Sequence, residues 1–259
     1  VSESERSARR RLALVGLGPG DPELVTAQAA RVLNEVDFLL VADKTGDHPG
    51  TADLVVMREA ICDRHVTGEW HLVAVPDPER DRDDPADYAG AVRDWHEARA
   101  EAWERALLEH DGDAAVLVWG DPALYDSAIR LAERIEARGV VPVEVEVVPG
   151  LSSVQLLAAR HRLVLNTIGG PITITTGRRL LQDADHGDNL VVMLDGGLAC
   201  LRLPDPSAWR VWWGANLGSS DEQLVAGRLD EVAGDIQARR TAAKQARGWV
   251  MDTYLLRRA

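Results

Sequence analysis

The chain has 259 residues, 46% of them hydrophobic and 27% charged, with a formal net charge of −13 and a sequence pI near 5.0. That length suits one large domain or two smaller ones sharing an interface. So acidic a balance argues against a nucleic-acid-coating protein, which draws most of its affinity from neutralising phosphates. No apolar run approaches the roughly 20 residues of a membrane span. Cys62 and Cys200 are the two cysteines, with no CxxC spacing. Neither a metal site nor a disulfide framework is expected, and a reducing cytoplasm fits.

In chain order, residues 1–11 (VSESERSARRR) read as a disordered tail. Leu12–Val15 and Phe38–Val41 read as buried strands, and between them Ala29, Ala30, Val32, Leu33 and Val36 form one helical face. Pro76–Tyr88 is a charged, proline-punctuated loop, read either as a solvated loop or as a lid. The spacing of Val92, Trp95, Ala102, Trp103, Ala106 and Leu107 predicts a core-facing helical stripe. Ala114–Trp119 reads as a strand, and Leu124–Arg138 as a helix ending at a left-handed Gly139. Val143, Val145 and Val147 alternate with glutamates as in a strand with one wet face. This succession predicts a largely parallel sheet flanked by helices.

The second half reads as a mixed-sheet α/β domain. Its strands are expected at Ile172–Thr176, Leu190–Leu194, Trp209–Trp213, Gln223–Ala226 and Trp249–Leu255, with fewer and shorter helices. A boundary near Ser153–Gln155 gives domains of residues 12–154 and 155–259.

Three glycine-bearing strand ends carry the chemistry. Gly16-Leu-Gly18-Pro-Gly20-Asp21 comes after the first strand, but its GxGxG spacing differs from the dinucleotide fingerprint. Pro19 removes a donor from the loop, and Thr26 caps a helix only several residues later. The loop is either a structural turn or a ligand-facing one. Trp119-Gly120-Asp121-Pro122 ends a buried strand, where ligands of open α/β sheets sit. Asp121 either meets a ligand or caps the helix after it. Pro149-Gly150-Leu151-Ser152-Ser153 offers two serines that either cap a helix or present N–H groups to a ligand. Three such ends in one chain suggest one shared site.

In order and spacing, GLGPGDPELVT (16–26), VWGDPALYD (118–126) and VVPGLSS (147–153) resemble the marker segments of the tetrapyrrole methylases. DPERDRDD (77–84) with VRDWHEARA (92–100), ARHRLVLNTIG (159–169), ITTGRRL (174–180) and GWVMDTYLLRR (248–258) resemble the branch that methylates precorrin-5. The resemblance implies two α/β domains with a cofactor cleft between them and S-adenosylmethionine as methyl donor. It further implies a tetrapyrrole substrate, cobalamin biosynthesis and a homodimer. Carried over residue by residue, cofactor contacts fall at Pro19, Trp119, Gly120, Asp121, Leu124, Ser152 and Ser153. From the second domain come Leu194, Ala215 to Leu217, and Trp249. The implied reaction is methylation at C1 with release of the extruded acetyl group as acetate.

Relatives acting on the first ring methylations carry an aspartate just after the second strand, and with a one-residue shift the resemblance places it at Asp43. Asp43 is either the general base or a loop residue paired with Lys44. His96, Tyr125 and Asp126 are either helpers in the deacylation or structural. Arg178 and Arg179 are the expected substrate-carboxylate partners, since guanidinium forks match carboxylates, and Arg160, His161 and Arg162 come next. The alternatives are a methylase of the same fold acting on another tetrapyrrole, RNA or protein, and a ligand-binding regulator without catalysis.

Overall fold

The computed structural model describes residues 9–43, 51–78 and 88–259. The chain divides into two compact units, Val1–Leu151 and Ser152–Ala259.

Unit 1 carries a five-stranded, wholly parallel sheet. Its strands are β1 (Arg10–Gly16), β2 (Phe38–Asp43), β3 (Leu72–Pro76), β4 (Ala114–Val118) and β5 (Val143–Val148), in the order β3-β2-β4-β1-β5. Alternate residues of β1 and β4 feed opposite cores, as a strand's period of two requires. Leu12, Leu14, Val116 and Val118 pack with Trp103, Leu107, Leu131 and Ile135. Ala13, Val15, Ala115 and Leu117 pack with Val32, Leu33, Ile61 and Cys62. Helices α1 (Ala27–Leu33) and α2 (Thr51–His65) therefore lie on one face, and α3 (Tyr88–Glu109) and α4 (Ala128–Arg138) on the other. The chain leaving β1 and the chain leaving β4 depart to opposite faces although the two strands are neighbours. The crevice this opens at their carboxyl ends is a topological switch point.

Several expectations shift. The part of the expected tail over residues 1–8 lies outside the described residues, and β1 already begins at Arg10. Arg10 donates to the carbonyls of Gly112 and His110 (both 2.6 Å) and of Leu107. Arg11 bridges Glu35 (2.8 Å) and Glu146 (2.6 Å), so both basic residues are tied down. Of the loop expected over Pro76–Tyr88, Pro76 ends β3 and Tyr88 begins α3, and residues 79–87, on which the lid reading turns, lie outside the described residues. Helix α4 starts at Ala128 rather than Leu124 because Tyr125 is left-handed (φ 54°) and the Asp126 carboxylate accepts from the Ala128 N–H (2.6 Å). Helix α2 and strand β3 add to the expected elements. The amphipathic stripe of α3 holds: Trp103, Ala106 and Leu107 are buried. Thr26 caps α1 through the Ala29 N–H (3.1 Å), and Gly139 ends α4 at φ 64°.

Unit 2 carries a mixed five-stranded sheet in the order β6-β7-β10-β8-β9. Its strands are β6 (Thr173–Thr176), β7 (Asn189–Met193), β8 (Trp209–Ala215), β9 (Gln223–Arg228) and β10 (Asp252–Arg258). Only β6 and β7 are parallel among these pairs. Trp213, Tyr254, Leu190, Val192 and Ile236 centre its core. Its helices are α5 (Ser153–His161), α6 (Leu180–Ala184) and α7 (Leu229–Arg247). The 19-residue α7 corrects the expectation of short helices. Leu229 and Ile236 are its buried residues, so it lacks a hydrophobic stripe, although Asp230 and Glu231 open it and Gly248 closes it. Strand β10 begins three residues later than expected, leaving Trp249 in the lead-in.

Among the described residues no helix is long and apolar enough to cross a membrane. None of their side chains form a group of three or more His, Cys, Asp or Glu able to hold a metal. Both cysteines are buried and free. Burial pushes the Cys62 thiol up to about 11 and the Cys200 thiol up to about 12. Native protein at about pH 8 should therefore resist a disulfide-exchange reagent, because the thiolate is the nucleophile. The unfolded chain should titrate both thiols. A cysteine reacting within minutes in the native state would contradict the burial.

Candidate active site

The three glycine-bearing strand ends meet in unit 1 backbone to backbone. A Cβ on Gly16 would stand 2.6 Å from the Gly150 nitrogen and 2.8 Å from the Gly120 oxygen. A Cβ on Gly150 would stand 2.2 Å from the Gly120 oxygen. Gly18 and Gly120 exchange two hydrogen bonds (N–H to O, 3.2 and 2.9 Å) as an isolated antiparallel bridge. Asp121 ties the third loop in: one carboxylate oxygen accepts from the Gly150 N–H (3.0 Å), the other from the Ala123 N–H (2.8 Å). Its two oxygens each accept one bond within the protein, so its carboxylate ties the second loop to the third. Gly120 itself is left-handed (φ 73°) and no atom lies within 4 Å of where its Cβ would be. Its open side is where a ligand can approach the main chain.

The glycine-proline loop is closed on its other flank. Pro19 and Gly20 are buried. A Cβ on Gly20 would meet the Met57 methyl at 2.3 Å and the Trp119 ring at 3.1 Å. Leu124 lies in the half-buried turn after Asp121 and donates its N–H to the Asp121 carbonyl (3.2 Å). Asp43 is the last residue of β2, and its carbonyl accepts from the Asp77 N–H (3.1 Å). Leu40 pairs with Val116 in parallel register, so Asp43 and Trp119, three residues further along each strand, end at the same sheet edge. Lys44, its alternative partner, lies outside the described residues. Asp126 caps α4, and the His96 ring packs on Trp95 with centroids 5.1 Å apart.

In unit 2, Ser152 caps α5 in a capping box with Gln155, whose oxygen accepts from the Ser152 N–H (3.0 Å). The Ser153 hydroxyl meets that of Thr253 (2.9 Å). Both hydroxyls are engaged in structure. Leu194 behaves differently: it is left-handed (φ 52°) and 65% exposed. An exposed leucine in that conformation is held by its surroundings. The holder is Asp195, whose buried carboxylate accepts from the Ala199 N–H (2.6 Å), the Gly197 N–H (3.1 Å) and the Tyr254 hydroxyl. Ala215 and Leu217 are core residues, Leu217 packing over Gly214. The informative residue between them is Asn216, left-handed (φ 49°), whose buried Nδ2 has no partner among the described residues. Trp249 Nε1 is likewise buried and unpaired among them. Met251, two residues on, exchanges hydrogen bonds with the Asn216 main chain and side chain (2.8 and 3.3 Å).

Buried donors without acceptors are rare because each costs about 1–3 kcal/mol. Two of them on one strand end and the lead-in to its neighbour fit an acceptor-rich heterocycle such as adenine. The presented Leu194, of the same unit, adds an exposed apolar side chain. Asn216 escaped the sequence reading as a donor in its own right. Its signal was an asparagine, the residue that tolerates left-handed backbone, directly after a strand.

The expected substrate arginines divide. Arg178 and Arg179 are both exposed; Arg179 pairs with Asp183 (3.1 Å), whereas Arg178 makes no ion pair among the described residues. Arg160 pairs with Glu222 (2.8 Å), and His161 hydrogen-bonds the Trp213 carbonyl (3.0 Å). Arg162 is the exposed, left-handed C-cap of α5.

Known proteins share the sequence pattern and the fold. Residues 11–233 match the family model of the Tetrapyrrole (Corrin/Porphyrin) Methylases. The chain is 43% identical over 254 residues to the precorrin-6A synthase [deacetylating] of Sinorhizobium sp., covering 96% of this chain and 95% of that one. A crystal structure from Corynebacterium diphtheriae, described as cobalamin-synthesis related (CobF), superposes with a TM-score of 0.81 at 34% identity, covering 97% and 99%. The uroporphyrin-III C-methyl transferase of Thermus thermophilus, crystallised with S-adenyl homocysteine, shares the fold with a TM-score of 0.57 at 23% identity, covering 95% and 91%. The chain belongs to the tetrapyrrole methylase family.

Proposed function

We propose that this protein is an S-adenosylmethionine-dependent C-methyltransferase that converts precorrin-5 to precorrin-6A, methylating C1 and releasing the extruded acetyl group as acetate. The observation that carries the reading is the backbone-to-backbone meeting of the Gly16, Gly120 and Gly150 loops at the switch point of a parallel sheet. The 43% identity over nearly the whole length of both chains supports the substrate assignment.

The cofactor supplies a methyl group on a sulfonium, whose leaving group needs no protonation. What the chain contributes is alignment, which can lower a barrier by about 7–11 kcal/mol when the reacting atoms are held in line. Gly120 admits the ligand to the main chain, while Asn216 Nδ2 and Trp249 Nε1 donate to its heterocycle. Pro19, Trp119 and Leu194 form apolar surface around it, and Leu124, Ser152 and Ser153 keep the loops in place. Asp43 is the base that takes the proton lost as the substrate's nucleophilic carbon reacts. Arg178, the member of the pair with no ion pair among the described residues, takes a substrate carboxylate, and Arg179 orients the turn through Asp183. Acetate release needs a water added to the acetyl carbonyl of the substrate and no protein nucleophile.

S-adenosylhomocysteine at about 100 times its Kd should stabilise the protein by roughly 2.7 kcal/mol. At about 2–4 °C per kcal/mol, that raises Tm by roughly 5–10 °C. NADH should leave it unchanged. Mass spectrometry of precorrin-5 incubated with protein and S-adenosylmethionine should show one methyl gained and one acetyl lost. A Tm response to NADH alone, or methyl transfer to RNA or protein but not to precorrin-5, would overturn the reading.

A further inference from the structure

The substrate is a polycarboxylate and the chain carries a net charge of −13, so long-range electrostatics oppose their encounter. Short-range cations must hold the substrate, and one of them stands at the cofactor loop itself. Arg58, on α2, has its guanidinium carbon 5.6 Å from the centroid of the Trp119 ring. Its Nε is buried and has no hydrogen-bond partner among the described residues. Met57, the preceding residue, packs against the Gly20 turn. Asp126 is the carboxylate whose field acts on Arg58, but its oxygen caps α4 through the Ala128 N–H (2.6 Å). Arg58 as a whole is half-buried, and burial pushes its guanidinium below its ordinary range. Next to Asp126, Tyr125 holds a left-handed backbone (φ 54°) and is 46% exposed.

A cation with a buried donor and no hydrogen-bonded anion costs stability. A fold that keeps one beside its ligand-facing loop has a use for it. The Trp119 ring lies within cation–π range of the guanidinium, and the Nε–H is unspent among the described residues; a guanidinium with an unspent donor is the group that grips a carboxylate.

We propose that Arg58 binds a carboxylate of the tetrapyrrole and so positions the macrocycle against the Trp119–Gly120 loop. This rests on the methyltransferase reading above. Arg58 touches substrate and takes no part in proton transfer.

The test uses the full chain with Arg58→Met and Arg58→Lys. Arg58→Met should raise KM for precorrin-5 by roughly 10- to 100-fold, the range of a lost charge-assisted hydrogen bond. Its kcat should change little. Arg58→Lys should recover part of the loss, because charge survives without the fork. The Tm of the ligand-free Met variant should equal or exceed wild type, since a half-buried charge with an unpaired buried donor is gone. Its Tm responses to S-adenosylhomocysteine and to 5′-methylthioadenosine, which lacks the carboxylate, should both match wild type. A KM within about twofold of wild type, or a lower ligand-free Tm, would make Arg58 structural and overturn the inference. A weakened response to S-adenosylhomocysteine with an intact response to 5′-methylthioadenosine would assign Arg58 to the cofactor's carboxylate instead, and equally overturn it. Wild type inert toward precorrin-5 removes the functional reading and this inference with it. Active wild type with an unchanged Arg58→Met removes the inference alone.

Discussion

Gly150→Ala should melt roughly 6–12 °C below wild type and lose its response to S-adenosylhomocysteine. The added methyl would stand 2.2 Å from the Gly120 oxygen and 2.8 Å from the carbonyl carbon and oxygen of Gly16. All three are main-chain atoms at the ends of central strands, so none can rotate aside. Overpacking costs about 1–3 kcal/mol where side chains can yield, and here the cost belongs at the upper end. At about 2–4 °C per kcal/mol the Tm falls by that interval. The ligand response is lost with it because the Asp121 tie to the Gly150 N–H and the Gly18–Gly120 bridge share the displaced backbone. Gly120→Ala is the control. It meets no atom within 4 Å but sits at φ 73°, so it carries only the left-handed penalty of roughly 1–2 kcal/mol. Thermal unfolding of both variants with and without S-adenosylhomocysteine decides it. Equal melting of the two would show that the loops do not meet as tightly as described.

Asp43→Asn should slow methylation by about 10²–10⁴-fold, the usual contribution of a positioned base. The amide keeps the shape of the carboxylate and removes its capacity to take a proton. Its place argues for the role: Asp43 closes β2 at the edge where β4 delivers Trp119, and its main chain is pinned by the Asp77 N–H. The substitution leaves that backbone bond intact, so the fold and the Tm response to S-adenosylhomocysteine should be unchanged. Single-turnover experiments should assign the loss to the chemical step. A variant within about threefold of wild type would leave alignment alone to carry the reaction, with Asp43 serving only to end the strand.

Elements with strong periodicity or clear end signals are legible in the sequence. Leu12–Val15, Ala114–Val118, the Trp103–Leu107 stripe, the Thr26 cap and the Gly139 stop all arise from local pattern and local sterics. Elements without such a pattern are not legible. Helix α7 buries only Leu229 and Ile236, so it has propensity and caps but no stripe to read. Tyr125 ends the run expected to be helical through a left-handed backbone, which side-chain identity does not announce. Trp249 sits in the chain entering β10 because Gly248 turns left-handed at the end of α7.

The sequence by itself determined the two α/β halves, the family and the three glycine loops, because periodicity and short-range steric demands are written in neighbouring residues. It also brought Gly120 forward as a place of bare backbone, and the space beside it is open. Only the tertiary structure decided what each polar group there has left to offer. The carboxylate of Asp121 and the hydroxyls of Ser152 and Ser153 are engaged within the protein. Asn216, Trp249 and Arg58 keep buried donors unspent among the described residues. Hydrogen-bond satisfaction depends on partners distant in sequence, such as Asp121 with Gly150 or Asn216 with Met251, and no local pattern encodes which donors the fold will leave over.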